Sequence, residues 1–245
     1  MKAMILAAGV GSRLRPLTNT IPKALVEIGG VPMLEIILRR LIQTGCGAVV
    51  INLFHLADLV LDFLKSKQNF GIHIEISRET ELLDTGGGLK NVAHFFDDGQ
   101  PFLLHNVDVL SNLDLREMVR FHSHRPALAT LAVQARTSNR YLLFDEDGTL
   151  CGWQSVAEGR LQWCREPVRG TDRLAFSGIH VISPRIFSQM SESGVFSINQ
   201  TYLRLAGEGE RIQAFRADNF YWRDIGRLDR LNSVRQEIAE NGLPT

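Results

Sequence analysis

One segment near the start of the chain combines glycines with cationic residues and reads LAAGVGSRLRPLTNTIPKAL, residues 6–25. Gly9 and Gly11 allow a sharp turn and a close approach to a ligand, so that successive backbone amides point at an anion. The Ser12 hydroxyl and the Arg13 guanidinium add donors suited to phosphate oxygens, and Lys23 adds a point charge. The segment therefore predicts a phosphate-binding loop, although any glycine-rich turn after a strand shares part of this pattern.

Two familiar nucleotide motifs are excluded in this segment. The pattern GxxxxGK[ST] of P-loop NTPases does not occur, and Leu14 stands where the dinucleotide fingerprint GxGxxG needs its third glycine. The second predicted strand is followed by INLFHL, which offers no acidic residue for a ribose. An NAD-dependent oxidoreductase is thus a weak alternative.

Two aspartates follow apolar strand-like segments. Asp108 lies in PFLLHNVDVL (101–110), and Asp224 lies in FYWRDIG (220–226). Carboxylates together with phosphate oxygens and water form an octahedral Mg²⁺ site, for which one or two protein carboxylates are enough. A single aspartate at a strand end more often caps a helix, so only the pair and the phosphate loop together indicate a metal.

A glycine triplet occupies the run Leu83-Asp84-Thr85-Gly86-Gly87-Gly88. Each glycine at a helix start costs roughly 0.5–1 kcal/mol relative to alanine, so a close approach of the backbone to a planar group explains the triplet. A flexible connector is the alternative.

The rest of the chain predicts the elements that position these residues. Strands are expected at 3–8, 48–53, 72–77 and 101–110, with helices at 32–44, 56–66, 87–96 and 114–124 between or after them. This alternation predicts an α/β fold with a Rossmann-like, mostly parallel sheet and helices on both faces. A smaller strand-rich part follows, with strands at 127–136, 141–145, 149–153, 174–183 and 211–217, helices at 184–190 and 198–206, and a last helix at 227–241. With no linker sequence, we expect a single domain, 1–245, whose first half (about 1–125) holds one ligand region and whose second half (about 126–245) completes the site.

The motifs LAAGxGSRLRPLT, PKAL and W-x-D-I-G resemble the signature of sugar-1-phosphate nucleotidyltransferases over most of the chain. The form TGGG and the N-x-D around Asp108 resemble the short bacterial branch of uridylyltransferases that act on N-acetylmuramic acid 1-phosphate. Val107 stands where glycine is usual in the family. The resemblance implies a nucleotide-diphospho-sugar transferase fold in which the loop wraps a triphosphate, Arg13, Lys23 and Asp108 are catalytic, and Asp108 and Asp224 bind Mg²⁺.

The resemblance also implies the remaining ligand contacts. The nucleotide-binding residues it implies are Leu6, Ala8, Gly9, Gly11, Ser12, Arg13, Lys23, Thr85, Gly86 and Asn106. The sugar-phosphate-binding residues it implies are Asn52, Glu166 and Gly178. The family's usual E-K-P motif lacks its lysine here, since Pro167 directly follows Glu166. A bulge in a strand is the alternative reading of Gly178.

The reaction implied by the resemblance transfers a nucleotidyl group from an NTP, expected to be UTP, to a sugar 1-phosphate and releases pyrophosphate. A same-fold cytidylyltransferase for phosphocholine or another phosphorylated acceptor and a non-catalytic nucleotide-sensing module are the alternatives. Longer relatives carry a C-terminal β-helix domain, which we do not expect here. We expect a monomer or homodimer.

Composition limits the partners. Lys plus Arg and Asp plus Glu both number 27, and this zero balance argues against nucleic-acid or anionic-membrane binding. The three cysteines form no CxxC pair and fit a reducing compartment, and no run reaches the roughly 20 apolar residues of a membrane helix. We therefore expect a cytoplasmic protein. The histidines His73, His94, His122 and His124 show no catalytic spacing and are expected at the surface.

Overall fold

The computed structural model describes residues 1–243. Its strands are β1 (Lys2–Leu6), β2 (Glu27–Ile28), β3 (Val31–Pro32), β4 (Ala48–Leu53), β5 (His73–Arg78), β6 (Phe102–Asn106), β7 (Val109–Ser111), β8 (Ala129–Gln134), β9 (Arg140–Asp145), β10 (Leu150–Ser155), β11 (Arg160–Trp163), β12 (Thr171–Ile182), β13 (Ile212–Arg216) and β14 (Trp222–Asp224). Its α-helices are α1 (Met33–Thr44), α2 (Ala57–Ser66), α3 (Asp84–Asn91), α4 (Leu115–Ser123), α5 (Ile198–Gly207) and α6 (Leu228–Asn241).

The chain forms two compact units, each assembled from separate segments. The first unit contains Met1–Leu82, Leu104–Leu115 and the chain from Phe220 onward, and the second contains Leu83–Leu103 and Arg116–Asn219. No helix within residues 1–243 is both long and apolar enough to cross a membrane.

The first unit is built on parallel strands. β1 pairs with β4 and β4 with β5, all in parallel, and Leu6, Asn52 and Ser77 lie side by side at their carboxyl ends. α1 covers this unit with an apolar face that includes Leu34, Ile37, Leu38 and Leu41, and it ends at Gly45, which adopts φ +100°. This βαβ arrangement confirms the predicted α/β class, and open sheets of this kind bind ligands at the carboxyl ends of their strands.

One predicted strand was wrong in its extent. The segment 101–110 is broken into β6 and β7, and Val107 and Asp108 form the turn between them. The Val107 amide donates to the Leu6 carbonyl at 3.1 Å, which ties this turn to the end of β1. Asp108 therefore leaves the strand direction and lies beside the loop that follows β1.

The second unit contains a largely antiparallel sheet in the order β11-β10-β9-β12, with β8 between β12 and β13. β11 was not predicted: its four residues, RLQW, alternate polar and apolar side chains, but the run is short and all four side chains are exposed. The surface prediction for His122 was also wrong. This side chain is buried, its ring nitrogens lie 2.8 Å from Thr130 Oγ1 and 3.2 Å from Ser183 Oγ, and burial lowers its pKa to about 4.

Candidate functional site

The glycine-rich loop leaves the end of β1 and turns back at Gly11. This residue adopts φ +66°, and a Cβ added to it would lie 2.8 Å from Thr18 Cγ2. The Gly11 carbonyl accepts hydrogen bonds from Leu14 N and Thr18 Oγ1, both at 2.8 Å. A residue with a side chain is therefore disfavoured here by backbone strain and by contact.

Lys23 lies against the inner side of this loop. A Cβ added to Gly9 would be 4.0 Å from Lys23 Nζ, so the lysine passes close to the loop backbone. Lys23 Nζ also donates to Asp108 Oδ2 at 2.5 Å, and both side chains are largely buried. The structure thus joins the first and second predicted motifs, 85 positions apart, through one ion pair.

Three predicted residues converge on Gly226. A Cβ built on Gly226 would lie 2.7 Å from Asp108 Oδ2, 3.0 Å from Asp224 Oδ1 and 3.4 Å from Arg13 Nη2. Two carboxylate oxygens and a guanidinium therefore lie within 3.4 Å of a single point. Gly226 was not among the predicted site residues, although its place two residues after Asp224 in WRDIG was a signal for it.

Arg230 is a further cation that the sequence reasoning missed. It lies in the first turn of α6 and donates from Nη1 to Asp224 Oδ2 at 2.7 Å. The other oxygen of Asp224, Oδ1, accepts the Gly226 amide at 2.9 Å. Both oxygens of Asp224 are thus oriented by donors. Arg230 belongs to none of the sequence motifs. The only signal for it in the sequence was its position at the start of the helix that follows WRDIG.

The donor set fits a magnesium ion with few protein ligands. Within residues 1–243, no group of three or more His, Cys, Asp or Glu side chains is placed to hold a metal. Asp108 and Asp224 supply two convergent carboxylates instead. Mg²⁺ is commonly bound through one or two carboxylates plus substrate phosphates and water, which is the chemistry that this pair allows.

A hydrophobic cluster holds the three converging residues. Leu14 follows Arg13 and Ile225 follows Asp224, while Leu110 is two residues after Asp108. All three are buried in one cluster with the apolar face of α6; its other buried members are Val26, Ile28, Met33, Leu231, Val234 and Ile238. β7 and β14 pair antiparallel, with Asp224 opposite Val109. Each polar side chain is therefore anchored by a buried neighbour, and burial of each such side chain contributes about 1.5–3 kcal/mol.

The other predicted residues of the first unit surround the ends of β1, β4 and β6. Ala8 is buried, Ser12 is exposed, and Asn106 is half-buried at the end of β6. Val107, at the position where the family usually has glycine, is buried within the protein. Asn52 is also buried, and its side chain hydrogen-bonds to the backbone of Ala7.

Thr85 and Gly86 lie in the second unit, in the first turn of α3. The Gly86 and Gly87 amides both donate to the Phe196 carbonyl, at 2.9 and 3.2 Å. Thr85 Oγ1 accepts the Ile198 amide at 3.0 Å. A Cβ on Gly86 would lie 2.5 Å from Phe196 Cδ2, so close packing against the segment before α5 accounts for this glycine.

The two predicted sugar-side residues of this unit are placed as follows. Gly178 adopts φ +75° in β12, where the pairing with β8 shifts register between Phe176 and His180. The alternative reading of a β-bulge therefore describes its backbone. Glu166 is exposed in the loop between β11 and β12, next to Arg165, whose Nη2 lies 3.5 Å from the buried carboxylate of Asp145.

Comparison with known proteins places this chain in a family. The family described as "Nucleotidyl transferase" matches residues 2–241. A UTP–glucose-1-phosphate uridylyltransferase from Synechocystis sp. is 30% identical over 93% of this chain, which spans 61% of that relative's length. An N-acetylmuramate alpha-1-phosphate uridylyltransferase from Neisseria meningitidis is 33% identical, over 96% of this chain and 97% of the relative.

The fold itself agrees with a solved structure. A UDP-glucose pyrophosphorylase in complex with UDP-glucose superposes with a TM-score of 0.77 at 19% identity, covering 98% of both chains. The residues of the phosphate loop, the two convergent aspartates and the match over nearly the whole sequence lead to one conclusion: the chain belongs to the nucleotidyl transferase family, whose members include the sugar-1-phosphate nucleotidyltransferases.

Proposed function

We propose that this protein transfers a uridylyl group from UTP to a sugar 1-phosphate, with Mg²⁺ as cofactor, and releases pyrophosphate. The observation that carries the proposal is the convergence of Asp108, Asp224 and Arg13 on the point beside Gly226, with Lys23 bound to Asp108. Two carboxylates and two cations beside the loop that leaves the carboxyl end of β1 suit a triphosphate bound with a metal.

The chemical step is an in-line displacement. An oxygen of the sugar phosphate forms a bond to the α-phosphorus of the nucleotide, and the bond from that phosphorus to the β-phosphate oxygen breaks. A phosphate monoester has a second pKa near 6 and is largely dianionic at pH 7, so the nucleophile needs no general base. The protein's task is to position the two phosphates and to neutralise their charge.

The residues of the first unit divide this task. The loop amides and Arg13 hold the triphosphate. Lys23, whose side chain lies beside the backbone of Gly9, binds the phosphate oxygens at the reacting centre. Asp108 and Asp224 hold Mg²⁺, which supplies further charge neutralisation when bound. Arg230 keeps the Asp224 carboxylate oriented, because its bond to Oδ2 leaves Oδ1 turned toward the shared point.

The choice of substrates draws support from the relatives and from the second unit. The Neisseria relative, 97% of whose length this chain matches, is named an N-acetylmuramate alpha-1-phosphate uridylyltransferase, so we propose UTP and N-acetylmuramate 1-phosphate as the first pair to test. Thr85 and Gly86 are the proposed contacts to the base, since the Thr85 hydroxyl, while accepting from Ile198, still has a proton to donate. Glu166 and Gly178 are the proposed contacts on the sugar side.

The test is a pyrophosphate-release screen of four NTPs with Mg²⁺ against a panel of acceptors, which contains sugar 1-phosphates, including N-acetylmuramic acid α-1-phosphate, and phosphocholine. We expect release with UTP and at least one sugar 1-phosphate. Release only with CTP and phosphocholine would favour the cytidylyltransferase alternative. Thermal stabilisation by UTP without any release would favour a nucleotide-sensing module.

A matched variant tests the metal assignment. Asp108→Asn keeps the size of the side chain but removes the charge that binds Lys23 and the metal. We expect turnover to fall by about 100-fold or more, with the circular dichroism spectrum unchanged. Pyrophosphate release close to the wild-type rate would contradict the assignment of Asp108.

A further inference from the structure

Asn52 lies at the carboxyl end of β4, and both ends of its amide are bound within the protein. Its Oδ1 accepts the Ala7 amide at 2.7 Å, and its Nδ2 donates to Glu79 Oε1 at 2.8 Å. Asn52 is 3% exposed and Glu79 is 6% exposed. A side chain with this burial and these partners does not present its polar atoms to a sugar.

The partner of Asn52 is the first amide of the phosphate loop. β1 and β4 are parallel with Leu6 beside Asn52, so Ala7 is the residue at which the chain leaves β1. Asn52 Oδ1 takes the place of the main-chain carbonyl that would accept from the Ala7 amide if the strand pairing of β1 continued. Ala7 is followed directly by Ala8 and Gly9, which begin the loop that carries Arg13 and passes over Lys23.

We infer that Asn52 is a positioning residue of the nucleotide's phosphate loop, and that Glu79 holds the Asn52 amide with its oxygen toward Ala7. The site requires an acceptor facing Ala7 and a donor facing Glu79, and an amide supplies both from one group. An aspartate would supply only acceptors. The effect of Asn52 on nucleotide binding rests on the proposed function, whereas its effect on the position of the loop does not.

The first test needs no substrate. Asn52→Asp places a second carboxylate against Glu79. When both are ionised, their repulsion should draw the new carboxylate away from Ala7, so the exchange rates are compared at pH 8 or above, where a proton shared by the pair no longer offsets this repulsion. We expect amide hydrogen exchange at Ala7 to be about tenfold faster, the equivalent of one lost hydrogen bond. The double variant N52D/E79Q exchanges donor and acceptor between the two positions and should return the Ala7 exchange rate to near the wild-type value.

Asn241→Asp is the matched control, since Asn241 is exposed near the end of α6 and undergoes the same chemical change. Its Ala7 exchange should equal that of the wild type. Unchanged exchange at Ala7 in N52D, or failure of N52D/E79Q to restore it in a folded protein, would overturn the inference. Thermal melting of each variant shows whether it is folded.

The second test separates the nucleotide from the sugar. In N52D we expect the KM for UTP to rise about tenfold, by the same lost hydrogen bond, while the KM for the sugar 1-phosphate stays at its wild-type value. N52D/E79Q should reverse the rise. A sugar-binding Asn52 predicts instead a raised sugar KM in both variants and an unchanged KM for UTP, which would refute the inference. If the wild-type protein shows no transfer activity, only the proposed function is refuted. The hydrogen-exchange test still decides whether Asn52 holds the loop at Ala7.

Discussion

The substitution Gly226→Ala places one methyl group at the point where the candidate catalytic residues meet. Gly226 has no left-handed backbone conformation, so alanine fits the local chain without strain. Its Cβ would nevertheless lie 2.7 Å from Asp108 Oδ2 and 3.0 Å from Asp224 Oδ1. The perturbation therefore acts on the two carboxylates rather than on the fold.

The magnitude follows from these distances. Ordinary contacts of a Cβ begin near 3.4 Å, so Asp108 Oδ2 must move by about 0.7 Å and Asp224 Oδ1 by about 0.4 Å. The carboxylates are ends of flexible side chains and yield without unfolding the unit. Misplacement of reacting groups by about 1 Å costs on the order of 100-fold in rate, so we expect kcat to fall about 10- to 100-fold.

Pyrophosphate release under saturating substrates measures this effect, and thermal melting checks the fold. Gly47→Ala is the matched control, because Gly47 also lacks a left-handed conformation and an added Cβ there meets nothing within 4 Å. The control should retain the wild-type kcat. If Gly226→Ala also retains it, the two aspartates do not act together at this point and the proposed site is wrong.

Three further predictions follow from individual contacts. Arg230→Met removes the side chain that orients the carboxylate of Asp224. We expect the Mn²⁺ concentration at the midpoint of a binding titration to rise about 10- to 100-fold, since loss of a hydrogen-bond partner of a metal ligand commonly has this effect. An unchanged midpoint would show that Arg230 does not support the metal site. Gly86→Ala drives a methyl group into the Phe196 ring, so urea unfolding should show a loss of about 1–3 kcal/mol, which wild-type stability would contradict. Burial lowers the pKa of His122 to about 4 from 6.5, so its contribution to stability is present above pH 6.5 and is lost as the pH falls toward 4. The difference in urea midpoint between wild type and His122→Gln should therefore narrow on acidification from pH 7 to pH 4.5, and a constant difference would contradict a neutral buried imidazole.

The sequence by itself determined the features that are local along the chain. The glycines, Arg13 and Lys23 of the first segment predicted a phosphate loop, since a close backbone approach and cationic donors need those residue types. The apolar runs and helical spacing identified the α/β class. Asp108 and Asp224 were recognisable as paired carboxylates, because each follows an apolar strand-like segment within a specific motif.

Only the tertiary structure decided how distant residues act together. Asn52 and Ala7 are 45 positions apart, and nothing in either segment shows that one hydrogen-bonds to the other. Arg230 and Gly226 acquire their places because α6 packs with Leu14 and Ile225 in one cluster. Gly86 stood out in the sequence as part of a glycine triplet, but its contact with Phe196 was not predictable. Contacts of this kind depend on the pairing of whole strands and helices, which a local pattern of residues does not encode.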